Sequence, residues 1–373
     1  MNIELGALED LHLSGDELNL IIIGSGHGEA IIVDLPGSGW LVIDGAGRTG
    51  DYPVVELLAK HLRDQRVEAL VLTHPHHDHF HGMLELLDHE WLGARIVKIG
   101  CVGNFVERDE GEQHSFALET VDRRRPAVPI KRRATASAKA VLRRIREIWT
   151  EEPERRLDIR RGTLPLDNPN VLARVLYPDD RSIEEFFHKP GCDRRIAEQA
   201  NLLSAVIELR FGRGRYLLTS DLSDPKWAPL AEVETDLQHH AAAKLPHHGS
   251  ANAQPIALLR SAGGARTWAL TPFNRGRKLP TLAGLAGLLQ HEHAVYMTAF
   301  PVSWKQTRPA PDRVSLNQLK SESVQLREDL GPVEAASRRD LAARDCFWLF
   351  SFDAQGQLLR MTRGQASTRI ERG

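Results

Sequence analysis

Thr73-His74-Pro75-His76-His77-Asp78-His79 sets His74, His76 and His79 beside the Asp78 carboxylate within one short turn. Imidazole is the preferred nitrogen ligand of zinc-like ions, and a carboxylate can ligate a second ion or hold an attacking water. The preceding Val67-Glu68-Ala69-Leu70-Val71-Leu72 reads as a buried strand that delivers the cluster at its carboxyl end. Phe80-His81-Gly82-Met83-Leu84-Glu85-Leu86-Leu87 then reads as a helix start. Strand, ligand-rich loop and helix in that order point side chains into a cleft above a sheet edge. A solvated His-rich loop is the bland alternative, and the ligand spacing and preceding strand speak against it.

His74, His76, Asp78 and His79 resemble the His-x-His-x-Asp-His motif of metallo-β-lactamase-fold hydrolases. Further segments, in matching order, are most similar to the soluble hydrolase domain of ComEC-type competence proteins. Gly26-His27-Gly28-Glu29-Ala30 resembles a Gly-x-Gly-Asp-Ala stretch, with Glu29 replacing the usual Asp. Trp40-Leu41-Val42-Ile43-Asp44-Gly45 resembles the strand ending in Asp-x-Gly. Arg215-Tyr216-Leu217-Leu218-Thr219-Ser220-Asp221 is similar to the strand ending in Thr-Gly-Asp, with Ser220 in the Gly place. Lys244-Leu245-Pro246-His247-His248-Gly249-Ser250 resembles Lys-x-x-His-His-Gly-Ser.

The resemblance implies an α/β (α+β) αββα sandwich, two helical layers enclosing two sheets, and a centre for two divalent ions, Zn or Mn. His74 and His76 are then expected on one ion, Asp78 and His79 on the other, and Asp221 between them. Ions held roughly 3.5–4 Å apart can share and acidify a hydroxide. His248 is the expected remaining ligand, leaving His247 to stabilise a phosphoryl oxygen or protonate a leaving alkoxide, although the two could exchange. Asp78 and His247 are thus the candidate catalytic residues. Asp44 is expected to hydrogen-bond a ligand His and fix its tautomer, with a structural strand-end Asp as the alternative. Many relatives carry another His ligand where this chain offers Asn201, a harder and weaker ligand, so the first site should favour manganese or release its ion more readily. His188 and Cys192 are an alternative source from a loop. His77 and His81 flank the cluster without matching positions. Asn274, Arg275 and Lys278 match a substrate-side loop and could meet a phosphate; a solvated basic loop is the alternative.

The chain has 373 residues and a net charge of −2, so no global basic field draws in nucleic acid. Three dispersed cysteines, Cys101, Cys192 and Cys346, imply no disulfide framework. The amino terminus lacks a secretory pattern and no stretch is apolar enough to span a bilayer, so the expectation is a cytoplasmic enzyme without membrane attachment.

Residues 1–300 read as the hydrolase domain, with a basic insertion at 105–165, and 301–373 as a C-terminal extension packed on it. Between Arg123 and Arg161 fourteen basic residues face five acidic ones, a local excess of nine positive charges. Ala134 to Trp149 has Val141, Leu142, Ile145, Ile148 and Trp149 on one face and predicts a basic amphipathic helix. A solvated face, a protein-docking surface and phosphate-backbone binding all stay open for it. Phe347 to Leu359 suggests a hairpin turning at Gln355-Gly356, and the residues from Gly364 are expected to be mobile.

The fold hosts many reactions. Metal-dependent phosphodiester hydrolysis of nucleic acid or a nucleotide-like molecule leads. A small-molecule hydrolase of a lactone, thioester or phosphocholine ester follows, then a partner-gated subunit of a larger complex. Asp rather than Cys at 221 argues against a true β-lactamase.

Overall fold

The structure, a computed structural model, describes residues 3–37, 39–47, 50–107, 130–188, 199–251, 266–273, 278–299, 310–321 and 342–372, with backbone only over 130–137. The amino-terminal half supplies β1 (Ile3–Leu5), β2 (Leu18–Ile23), β3 (Ala30–Asp34), β4 (Trp40–Ile43), β5 (Val67–Val71), β6 (Ile96–Cys101) and β7 (Arg156–Asp158). Then come β8 (Val171–Tyr177), β9 (Val206–Phe211), β10 (Gly214–Leu218), β11 (Ala242–Lys244), β12 (Thr267–Leu270) and β13 (Ala294–Met297). The carboxyl end adds β14 (Arg313–Ser315), β15 (Phe347–Phe352), β16 (Leu358–Arg363) and β17 (Thr368–Glu371). One sheet has the order β1-β16-β15-β2-β3-β4-β5-β6-β7 and the other β14-β17-β13-β12-β11-β10-β9-β8.

Strands β2 to β5 are buried along their whole length, as β-branched and Leu-rich runs covered on both faces should be. In the second sheet the period of two sorts side chains cleanly. Ile207, Leu209, Tyr216, Leu218, Ala269 and Tyr296 face the core shared with the first sheet. Leu217, Trp268, Leu270, Val295 and Met297 face a second core, closed by Trp227 and Leu230 of one helix and Leu285 and Leu288 of another. Across the first sheet the cover comes from Val54, Leu57 and Leu58, from Met83 and Leu86, and from the basic helix, Ile130–Glu151. The architecture is therefore the αββα sandwich.

That basic helix buries Val141, Leu142, Ile145, Ile148 and Trp149, the apolar stripe that its sequence period predicts. The helix expected from Phe80 is instead two short ones, His77–Phe80 and Met83–Leu87, broken at Gly82 with φ 97°. A Cβ at Gly82 would lie 2.7 Å from the Gly45 carbonyl oxygen, so the chain must turn in left-handed backbone where the two loops touch.

The residues beyond Gly364 are not a loose tail. Strand β17 lies between β13 and β14 and buries Ile370, and just before it the Ser367 hydroxyl lies 2.7 Å from both the Thr298 and Phe347 carbonyl oxygens. One apolar side chain in four residues gave no periodic signal, and the strand forms because both neighbours offer unpaired edges.

Candidate metal centre

Parallel strands β4 and β5 run out shortly before Asp44 and Thr73, and β10 and β11 shortly before Asp221 and the His pair. These carboxyl ends from the two sheets meet, and the His-rich loop is clamped between them. The Gly45, Glu29 and Gly47 amides donate to the carbonyls of His79, Asp78 and His81, which pins the loop by its backbone. Thr73 donates its amide and hydroxyl to Asp44, at 2.9 and 2.8 Å.

Asp78, His79, Asp221 and His248 converge with one ligand atom each inside a 4.8 Å span, and all four are buried. Asp221 Oδ2 is 3.4 Å from His79 Nε2 and 3.3 Å from His248 Nε2, and Asp78 Oδ2 is 3.1 Å from His248 Nε2. His74 adjoins this group, its ring 4.1 Å from that of His79 and 4.6 Å from that of His76. The Nε2 atoms of His74, His76 and His79 and Oδ1 of Asp221 are buried without a hydrogen-bond partner. Burying such atoms unpaired is costly, and their convergence fits residues arranged to share divalent ions.

The opposite nitrogens are anchored. His79 Nδ1 is 2.7 Å from Asp44 Oδ2, and His74 Nδ1 is 3.0 Å from Ser204 Oγ. His248 Nδ1 is 3.1 Å from the Thr271 carbonyl. Each anchor turns Nε2 toward the cluster, the arrangement that orients ligating imidazoles.

Burial pushes the Asp78 and Asp221 carboxyls up, but the His79 and His248 imidazoles outweigh it and hold both below the ordinary range. Conversely, burial would lower His248, yet Asp221, Asp78 and Glu29 raise it to about 10. His79 is raised in the same way against burial, chiefly by Asp44 and Asp78. His74 and His76 are lowered, first by burial and then by neighbouring imidazoles.

His248 rather than His247 faces the cluster because the backbone turns left-handed at both residues, φ 46° and 53°, and again at Gly249. His247 Nε2 lies 3.3 Å from Asn201 Nδ2. Asn201 Oδ1, the amide atom that could ligate an ion, is buried without a hydrogen-bond partner. His247 also borders a cavity of about 650 Å³ lined by Ser223, Asp224, Ser250, Ala251, Phe273 and Leu279. Ser220 adopts φ 44°, which explains a Gly preference at that place, and its hydroxyl bonds Thr73 Oγ1 at 2.8 Å.

His188 is exposed, its Nδ1 3.0 Å from the Glu184 carbonyl, and does not reach the cluster. Cys192, Asn274 and Arg275 lie outside the described residues, and Lys278 is exposed beside Leu279 at the cavity. His77 stacks on His81, ring centroids 4.9 Å apart. Cys101 and Cys346 are buried, and the Cys346 thiol donates to the Ala342 carbonyl.

The basic helix packs against His77–Phe80, so it stands directly behind the His-rich loop. Several basic groups of that region are engaged within the protein: Arg144 with Asp88 and Glu147, Arg155 with Glu152, Arg156 with Glu107, and Arg161 with Glu234. Arg123, Arg124 and Arg125 lie outside the described residues. No helix among the described residues is long and apolar enough to cross a membrane.

Two residues beneath the cluster carry no role in the sequence reading. Glu29 and Lys244 are buried and paired, Oε1 to Nζ 2.7 Å. The signal lay in a carboxylate one methylene longer than usual and in a Lys inside an otherwise apolar strand.

Residues 23–166 match the family model described as the metallo-beta-lactamase superfamily. No curated protein matches the chain. Among solved structures, a mutant of CmlA beta-hydroxylase is 13% identical, with 63% of this chain and 36% of that one covered and a TM-score of 0.34. A beta-lactamase domain protein from Burkholderia ambifaria is 14% identical, with 60% of each chain covered and a TM-score of 0.32. The matched segment begins in β2, contains the whole His-rich loop and ends after β7.

Proposed function

We propose that this protein is a metal-dependent phosphodiesterase, acting on nucleic acid or a nucleotide-like molecule and related to ComEC-type hydrolase domains. The observation that carries the reading is the buried convergence of Asp78, His79, Asp221 and His248 beside the unpartnered Nε2 atoms of His74 and His76. His74 and His76 would hold one ion, Asp78, His79 and His248 the other, and Asp221 both. When bound, two such ions, Zn or Mn, supply an acidified water and positive charge for a phosphoryl oxygen. Asp78 would orient that water from the cluster side. His247, on the cavity side, would bond a phosphoryl oxygen or protonate the leaving alkoxide. Anchored Nδ1 atoms keep the imidazoles from swinging out, so little reorganisation accompanies each turnover.

Nucleic acid as substrate draws support from the basic segment Arg123–Arg161, whose helix packs behind the ligand loop. A smaller ester draws support from the cavity beside His247, whose lining among the described residues includes the apolar Ala251, Phe273 and Leu279. Cleavage of single-stranded DNA, duplex DNA, RNA and bis(p-nitrophenyl) phosphate with added Mn²⁺ or Zn²⁺ separates the two. Turnover on a phosphodiester, abolished in Asp78→Ala plus His79→Ala, is the expected result. Turnover on carboxylic esters or thioesters alone would replace it with the small-molecule reading, and metal-loaded protein inert on the whole panel would point to a required partner.

A further inference from the structure

A lysine and a glutamate sealed together beneath a cluster of carboxylates and imidazoles must serve something that offsets their desolvation. Lys244 and Glu29 are both about fully buried. Lys244 Nζ donates to the Ser220 carbonyl at 3.2 Å and stands 3.7 Å from Asp221 Oδ1, on the side of that carboxylate turned from His79 and His248. Glu29 uses its other oxygen on His248: Oε2 is 3.4 Å from His248 Nδ1 and accepts the Thr271 hydroxyl, which itself lies 3.1 Å from that nitrogen.

His248 is therefore oriented as His79 is. In one case Asp44 stands behind Nδ1, in the other Glu29 with Thr271. Glu29, Asp44 and His79 are also grouped closely enough to attract a cation, and the Lys244 ammonium already stands against the Glu29 oxygen there.

We propose that Glu29 is the positioning residue of the second ion, holding His248 by its Nδ1 side and cancelling a buried Lys244 charge that would otherwise oppose a cation at Asp221. This rests on the two-ion reading above. Removing the carboxylate alone leaves an uncompensated ammonium next to Asp221. Removing both charges restores neutrality but not the support behind His248. The order of affinity for the second ion is thus wild type, then Glu29→Gln plus Lys244→Met, then Glu29→Gln.

The full-length protein, stripped and titrated with Zn²⁺ against a chromophoric chelator, reads the two dissociation constants, and thermal unfolding of each sample reads the fold. In Glu29→Gln the second ion should bind about 10–100-fold more weakly, the range for loss of a group behind a ligand, with the first ion, which shares only Asp221 with it, weakened less. The double variant should recover part of that loss without reaching wild type. Wild-type affinity for both ions in Glu29→Gln overturns the proposal, as does parallel weakening of both ions. Should Glu29→Gln alone not fold, the double variant decides: wild-type affinity for the second ion there overturns it, and selective weakening supports it. Fewer than two ions on the wild-type protein would instead defeat the two-ion reading itself.

Discussion

The imidazoles of His74, His79 and His248 are bonded on their far side, and the shortest of these contacts is that of His79. Asp44 accepts from Thr73 twice and stands 2.7 Å from His79 Nδ1, at a strand end with φ 62°. Burial raises its carboxyl pKa above the ordinary value, and the His79 imidazole and the Thr73 bonds offset only part of that rise. Asp44→Asn keeps the shape and removes the charge. Metal affinity at His79 should then fall about 10–100-fold, measured by the same chelator titration, while an unchanged constant would make Asp44 a structural strand-end residue only. His74, His76, Asp78 and His79 could be read in advance because they sit in one run. The choice between His247 and His248 could not, since it depends on consecutive left-handed residues. Glu29 and Lys244 escaped for a similar reason: neither spacing nor composition shows that two distant strand ends bury opposite charges against each other.

Among the elements, strands β2 to β5 and the basic helix follow directly from continuous apolar runs and a 3.6-residue stripe. The break at Gly82 and strand β17 do not, because one depends on contact with Gly45 and the other on edges offered by distant strands. Strand β3 ends on a further polar liability. Asp34 is buried, with the Asn19 amide donating to it at 3.0 Å, and burial raises its carboxyl to about 7 against that bond. An acid whose folded pKa lies above its ordinary 3.8 ionises more readily unfolded. Its contribution is therefore most favourable below pH 4 and is lost as pH rises toward 7. Asp34→Asn should stabilise the protein at pH 8 by on the order of 2–4 kcal/mol and have little effect near pH 4. Thermal or urea unfolding at the two pH values checks this, and equal effects at both would contradict it.

Taken whole, the molecule is two sheets whose strand ends complete one centre. The first sheet brings His74, His76, Asp78 and His79 on a loop after β5; the second brings Asp221 after β10 and His248 after β11. The C-terminal strands enter both sheets, and the Trp348 indole of β15 donates to the Met297 carbonyl of β13 at 2.9 Å, tying the sheets together. Sheet-to-sheet closure of this kind has no local signature and was readable only through the resemblance of short motifs spread along the chain. Anomalous diffraction from crystals grown with Mn²⁺ or Zn²⁺ tests the centre most directly. Two peaks should appear about 3.5–4 Å apart, one against His74 and His76, the other against Asp78, His79 and His248, with Asp221 touching both. A single peak, or peaks away from Asp221, would contradict a two-ion hydrolase.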